Sequence, residues 1–309
     1  MTTLLLTHPS ALNHATPLGH PERADRIRAL NEEFGKEQYS MLAREEAPQA
    51  QLDVVTLAHP ADYAEKLREV VPAEGAVRID ADTVLSAMSW EPIMRAVGGA
   101  VYAVDEVFAG KASNAFVAMR PPGHHAETAT PMGFCFFNNA AIAARHAQKK
   151  HGAERVAIID FDVHHGNGTQ DIFWNDPTVL YSSTHQMPLY PGTGARNETG
   201  AQNTIVNAPL SSGDGGTQFK EAFESVILPR INNFQPDLIV ISAGFDAHKN
   251  DPLANLNLVE EDFAWVTGKL MDLADKHAKG RVVSLLEGGY DLEGLARSAG
   301  AHVRALMRA

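Results

Sequence analysis

Short runs of β-branched and aliphatic residues recur along this chain, separated by segments whose apolar residues repeat every three or four positions. The runs Asn114–Met119, Arg155–Ile159, Thr178–Tyr181, Leu238–Ser242 and Arg281–Leu286 are apolar without alternation, the pattern of strands buried on both faces. The segments Glu91–Phe108, Asn139–Lys150, Thr217–Asn232, Glu260–His277 and Leu292–Met307 carry helical periodicity. Strands alternating with helices predict an α/β fold, an open and mostly parallel sheet flanked by helices.

Two earlier helices are expected, one after His20-Pro21-Glu22 with Ile27, Leu30 and Phe34 on a face, another from Asp62 with Tyr63, Leu67 and Val70. The stretch Ser182–Asn203 lacks a period and holds Pro188, Pro191, Gly192, Gly194 and Gly200, so it reads as a long loop of the functional kind. No repeat, low-complexity tract or linker interrupts the sequence, and residues 1–309 are expected to form a single domain.

Charge narrows the partners. With 26 Lys and Arg against 38 Asp and Glu the chain carries a formal charge of −12, which argues against direct binding to a phosphate backbone. One cysteine, Cys135, excludes an intramolecular disulfide framework and any multi-cysteine metal site; within its apolar run it reads as a buried, inert thiol. The N-terminal residues lack a basic and apolar leader, and no stretch approaches the ~20 apolar residues of a membrane span. A cytoplasmic protein without membrane contact is the expectation, and the oligomeric state stays open.

In open α/β sheets, ligands sit beyond the carboxyl ends of the strands. Here four strands end in reactive side chains. Arg120-Pro121-Pro122-Gly123-His124-His125 follows the first run, Asp160-Phe161-Asp162-Val163-His164-His165-Gly166-Asn167 the second, Ala243-Gly244-Phe245-Asp246 the fourth and Glu287-Gly288-Gly289-Tyr290 the fifth. Asp160, Asp162 and His164 alternate, so a locally extended backbone puts them on one side. Burying such carboxylates costs several kcal/mol without a cation or hydrogen bonds. A divalent metal held by Asp162, His164 and Asp246, with a position left for water, meets that cost and matches a hydrolytic zinc site. A hydrogen-bonded carboxylate network is the competing account. His124 and His125 are natural proton carriers beside such a metal, with Asp160 and Asn167 available to orient them. The glycines before Tyr290 allow the backbone to bend and bring a phenol into the site.

These residues carry a resemblance. Pro122-Gly123-His124-His125, Gly133-Phe134-Cys135-Phe136-Phe137-Asn138, the run from Asp160 to Gln170, Ser242-Ala243-Gly244-Phe245-Asp246 and Glu287-Gly288-Gly289-Tyr290 resemble the histone deacetylase superfamily. The likeness is greatest to its class II and bacterial amidohydrolase branch, and it runs from His20-Pro21-Glu22-Arg23 to Tyr290. The resemblance implies an arginase-like α/β fold and a zinc-dependent amidohydrolase that takes acetyl or other acyl groups from acyl-lysine or similar acylated amines. It implies Asp162, His164 and Asp246 as zinc ligands, and His125 as general base and acid. His124 would be electrostatic and paired with Asp160, and Tyr290 the hydrogen-bond donor to the oxyanion. Gly133, Phe134, Tyr190 and Leu253 would line the substrate tunnel. The resemblance further implies a structural potassium ion at Asp160, Asp162, His164 and Ser183, and an inner-cavity arginine for which Arg23 is the candidate.

Asn167 stands where class I members carry aspartate, so His125 is expected to be less strongly paired. Leu253 stands where polyamine-selective relatives place glutamate, which makes an acylated lysine peptide a better expectation than an acetylated polyamine. Three other readings compete: an acetylpolyamine amidohydrolase, a non-catalytic acyl-lysine binding module, and an arginase-type hydrolase with two manganese ions. The last would need further ligands, and Asp160 is the obvious spare. His8, His14, His59, His146, His151, His277 and His302 read as surface or capping residues, and the run Gln148-Lys149-Lys150-His151 as a solvated helix end. His165 and His185 fall near the site, with His248 at its rim.

Overall fold

A computed structural model describes residues 2–308; Met1 and Ala309, the ends of the expected 1–309 unit, lie outside the described residues. The strands are β1 (Thr3–Thr7), β2 (Ala43–Glu46), β3 (Ala76–Arg78), β4 (Val84–Ser86), β5 (Asn114–Val117), β6 (Val156–Asp160), β7 (Val179–Gln186), β8 (Ile205–Leu210), β9 (Leu238–Ala243) and β10 (Val282–Leu286). Eight of them form one sheet in the order β2-β1-β5-β10-β9-β6-β7-β8. Every pairing in it is parallel. The remaining two, β3 and β4, form a small antiparallel ribbon.

The helices are α1 (Asp25–Phe34), α2 (Leu52–Val55), α3 (Ala61–Glu69), α4 (Trp90–Phe108), α5 (Asn139–His151), α6 (Asn167–Phe173), α7 (Gly216–Ala222), α8 (Leu228–Phe234), α9 (Glu260–His277) and α10 (Leu292–Met307). A π turn over Phe223–Ile227 joins α7 to α8, so the helical period seen at Thr217–Asn232 is one interrupted rod. Helix α9 packs on α10 and α10 on α1, while α4 packs on α5. Asn138 caps α5 by accepting the Ala141 N–H at 2.9 Å, and Gly152 closes it in the left-handed region, φ 69°. Among the described residues no helix is long and apolar enough to cross a membrane.

All five expected strands exist, each within two residues of its expected bounds except the third, which runs on to Gln186. Three more strands join the sheet. Strand β1, Thr-Leu-Leu-Leu-Thr, is short, with only three apolar residues; β2, Ala-Arg-Glu-Glu, is a mostly exposed edge whose polarity hides it. The loop expected over Ser182–Asn203 begins only after Gln186. Residues 182–186 are polar yet buried, because hydrogen bonding replaces apolar contact: Ser183 Oγ lies 2.9 Å from His185 Nδ1, and Gln186 Oε1 accepts the Asn255 N–H at 2.8 Å.

Three histidines expected at the surface are buried instead. His14 lies 2.6 Å from Ser89 Oγ, and His59 accepts the Asn138 N–H at 2.9 Å. His302 sits between Thr267 Oγ1 at 2.6 Å and Ser284 Oγ at 2.8 Å. Each is a satisfied core polar group, which periodicity alone does not separate from a surface one.

A candidate metal centre at the carboxyl edge of the sheet

The four strands with reactive ends, β5, β10, β9 and β6, are consecutive in the sheet. Their continuations therefore meet at one edge. Asp162 and His164 follow β6, and Asp246 follows β9; all three are buried. His164 Nδ1 lies 3.2 Å from Asp162 Oδ1 and 3.1 Å from Asp246 Oδ2, and the three potential ligand atoms lie within 4.8 Å of one another. Burial raises the Asp246 carboxyl to about 7, the neighbouring Asp162 carboxylate adding to the push. A cation between the two carboxylates relieves that repulsion. The backbone leaves room only for these carboxylates: a Cβ on Gly288 would meet Asp246 and Asp162, and one on Gly244 would meet Asp162. The Gly288 N–H donates to Asp162 Oδ2 at 2.8 Å and the Val163 N–H to Asp246 Oδ1 at 2.9 Å, which aims both side chains.

The tandem histidines after β5 enter from the side. His124 Nδ1 donates to Asp160 Oδ2 at 3.0 Å, and His125 Nδ1 to Asn167 Oδ1 at 2.8 Å. Their environments push them apart. Burial opposes charge on His124, but the carboxylates of Asp160, Asp162 and Glu287 outweigh it and raise its basicity well above the ordinary range. Burial depresses His125 well below that range, helped by repulsion from His124 and His164. The two neighbouring imidazoles are thus driven in opposite directions.

A cavity of about 550 Å³ opens onto these groups. His125, His164, Phe134, Tyr190, Leu253 and Tyr290 are among its lining residues, with Gly133. Gly133 and Phe134 both have positive φ, 57° and 69°. A side chain at 133 would strike the His125 imidazole, and Phe134 holds its strained conformation with its N–H on Thr83 Oγ1 at 3.0 Å. The Tyr190 ring stands edge-on to His125 at 5.2 Å. Tyr290 is nearly buried, 5.9 Å from the Phe134 ring, and burial lifts its phenol well above the usual range, so it keeps its proton.

Some supporting residues escape a reading of motifs. Arg23 is half-exposed and pairs with Asp25 at 3.3 Å, so it is not the inner arginine. The buried arginine beside the site is Arg26: it donates to the carbonyls of Gly289 at 2.7 Å and Glu287 at 2.5 Å, and its guanidinium lies 5.0 Å from the Tyr290 ring centre. Its place on the inward face of α1 beside Ile27 and Leu30 is the signal that separates it from Arg23. Glu287 Oε2 accepts the N–H groups of Gly123 and His124 at 2.7 and 3.1 Å, tying the loop after β10 to the tandem histidines. Asp251 accepts the Tyr290 N–H at 2.7 Å and the Leu253 N–H at 3.0 Å. The rings of His165 and His185 lie 4.7 Å apart, tilted by 54°, and His165 directly follows the candidate ligand His164, so the pair falls near the site as expected. His248 does not reach the cavity rim; it is buried 3.9 Å from Glu260. Cys135 is a buried free thiol.

Residues 20–306 match the histone deacetylase domain family. The chain belongs to the histone deacetylase family. It is 40% identical over 303 residues to a probable deacetylase of Archaeoglobus fulgidus, covering 95% of this chain and 83% of that one. It is 38% identical over 286 residues to the histone deacetylase-like amidohydrolase of Pseudomonas aeruginosa, with 91% and 74% covered. The crystal structure of the HDA15 HD domain superposes with a TM-score of 0.93 at 34% identity, over 99% of this chain and 88% of the other. This histone deacetylase-family chain thus has the α/β architecture of those deacetylases and amidohydrolases, with a buried Asp-His-Asp metal-site candidate of the kind expected for zinc.

Proposed function

We propose that the chain, acting as one catalytic domain, is a zinc-dependent amidohydrolase that removes acetyl or other acyl groups from N-ε-acyl-lysine or a similar acylated amine. The convergence of Asp162, His164 and Asp246 beneath an aromatic-walled cavity carries this reading. Two carboxylates and one imidazole suit a single zinc ion with an open position. When bound, the ion supplies Lewis-acid polarisation of the acyl carbonyl and acidifies water.

The chain's own residues do the rest. Phe134 and Tyr190 flank the linear methylene stem and exclude water from it. His125, neutral and anchored through Nδ1, takes a proton at Nε2 from the attacking water and returns it to the departing amine nitrogen. His124 keeps its proton against Asp160 and supplies fixed positive charge. The Tyr290 hydroxyl donates to the oxygen that gains negative charge as the amide is attacked. For the potassium site, two observations support the fit: Asp160 pairs in register with Ser183, and the carbonyls of Asp162 and His164 accept no backbone hydrogen bond among the described residues.

The deciding experiment joins metal analysis of the purified protein with hydrolysis of an acetyl-lysine peptide. About one catalytic transition metal per chain is expected. Asp246→Ala should lose both metal and activity. Full activity in that variant, or two tightly held transition metals in the tunnel, would overturn the mononuclear reading.

A further inference from the structure

A second cluster of metal-type donors lies away from the tunnel, between α4 and α5. Asp105 sits in the last turn of α4, and His146 and His151 lie in the second half of α5. Nε2 of His146 lies 2.8 Å and Nε2 of His151 2.7 Å from the same Asp105 oxygen, Oδ1. The three potential ligand atoms fall within 4.8 Å of one another. We propose that Asp105, His146 and His151 form a surface site for a borderline-soft divalent ion such as Zn2+, which clasps α4 to α5.

The donor set decides the ion class. Two imidazoles with one carboxylate favour zinc, nickel or copper over the hard ions calcium and magnesium, which take oxygen ligands. The rings are prepared to bind. Burial lowers the basicity of His146, so its imidazole is neutral near pH 7. His151 stacks on Phe108 with 4.7 Å between ring centres and 15° between planes, which fixes its orientation. Side-chain exposures of 13%, 20% and 26% for His146, His151 and Asp105 leave water access to complete the coordination.

In the metal-free protein both Nε2–H groups donate to Oδ1. Metal binding requires each ring to carry its proton on Nδ1 instead, a tautomer change with no net proton release. Lys150 holds the other carboxylate oxygen, Oδ2, at 2.8 Å. Its half-exposed amine can stay there or swing into water, so it does not block Oδ1. A hydrogen-bonded staple between the helices needs only one histidine on Asp105; two imidazole nitrogens and a carboxylate oxygen within 4.8 Å of one another have the spacing of a shared-ion donor set.

The test uses the full chain with its tunnel metal in place, equilibrated with micromolar Zn2+ in chelator-free buffer. A second equivalent of zinc per chain is expected, with a rise in Tm and zinc-dependent protection of His146 and His151 from carbethoxylation mapped by mass spectrometry. His146→Gln and His151→Gln should each abolish the second equivalent and leave amide hydrolysis unchanged. The inference is overturned if wild type stays at one equivalent, if neither histidine is protected, or if both variants still take up the second ion.

Discussion

The amide of Asn167 faces His125 in one orientation: its Oδ1 is 2.8 Å from His125 Nδ1, while its Nδ2 donates to Glu127 Oε1 at 2.8 Å. A carboxylate only accepts, so Glu127 sets the flip of the amide, and the amide in turn places the His125 proton on Nδ1. The lone pair at Nε2 is left for the reaction. His124, one residue earlier, instead meets the full negative charge of Asp160.

Converting that amide to a carboxylate changes the pH at which His125 loses its free lone pair. In Asn167→Asp an opposite charge beside the imidazole raises its basicity by roughly one to three pH units. A base must be neutral to accept a proton, so activity falls as pH drops through its pKa. The acid limb of kcat/KM for an acetyl-lysine peptide should therefore move to higher pH. Adding Glu127→Gln keeps the new carboxylate ionised and should enlarge the shift. An acid limb that does not move would assign the base to another group.

Tyr290 should matter to turnover and not to assembly. Tyr290→Phe should retain metal, fold and binding of zinc-chelating hydroxamates, while acetyl-lysine hydrolysis slows by ~2.7–4 kcal/mol of transition-state stabilisation, a hundred- to thousand-fold. A trifluoroacetyl substrate, whose electron-poor carbonyl needs less help, should suffer less. Equal losses on both substrates would make Tyr290 a packing residue.

Leu253 lines the cavity and offers no anion to a second ammonium group. Leaving that charge desolvated and unpaired is costly. An acetyl-lysine peptide should accordingly be hydrolysed with higher kcat/KM than acetylspermidine, and Leu253→Glu should shift the ratio towards the polyamine. A large native preference for acetylspermidine would contradict the lysine assignment.

Stability should decline on mild acidification. His302 is fully buried, and burial holds its pKa down at about 3, against 6.5 for an ordinary histidine. Below pH 6.5 the unfolded chain takes up a proton that folded His302 refuses until about pH 3, so stability is full above 6.5 and is lost as pH falls towards 3. The loss is about 1.4 kcal/mol per pH unit from this one residue. His14 and His59, both lowered to about 4 chiefly by burial, add in the same direction. Urea unfolding at pH 7 and pH 5 measures it. Equal midpoints would show that these rings bind protons in the native state.

The chemistry of the strand ends was legible in the chain itself, because a turn that holds a metal ligand, a tandem histidine or a glycine pair must keep those residue types in fixed local order. Asp162 and His164 share one side because they lie two residues apart. Local spacing could not say which strands are neighbours. Only the tertiary structure set β5, β10, β9 and β6 side by side, since parallel strands pair through crossovers whose partners lie far apart in sequence. Long-range packing likewise chose Arg26 over Arg23, buried the polar strand residues after Tyr181, and brought Asp105 of one helix onto two histidines of another. Each of these depends on which surface meets which when helices cover the sheet, and that information resides in the summed burial of the whole chain rather than in any short run of it.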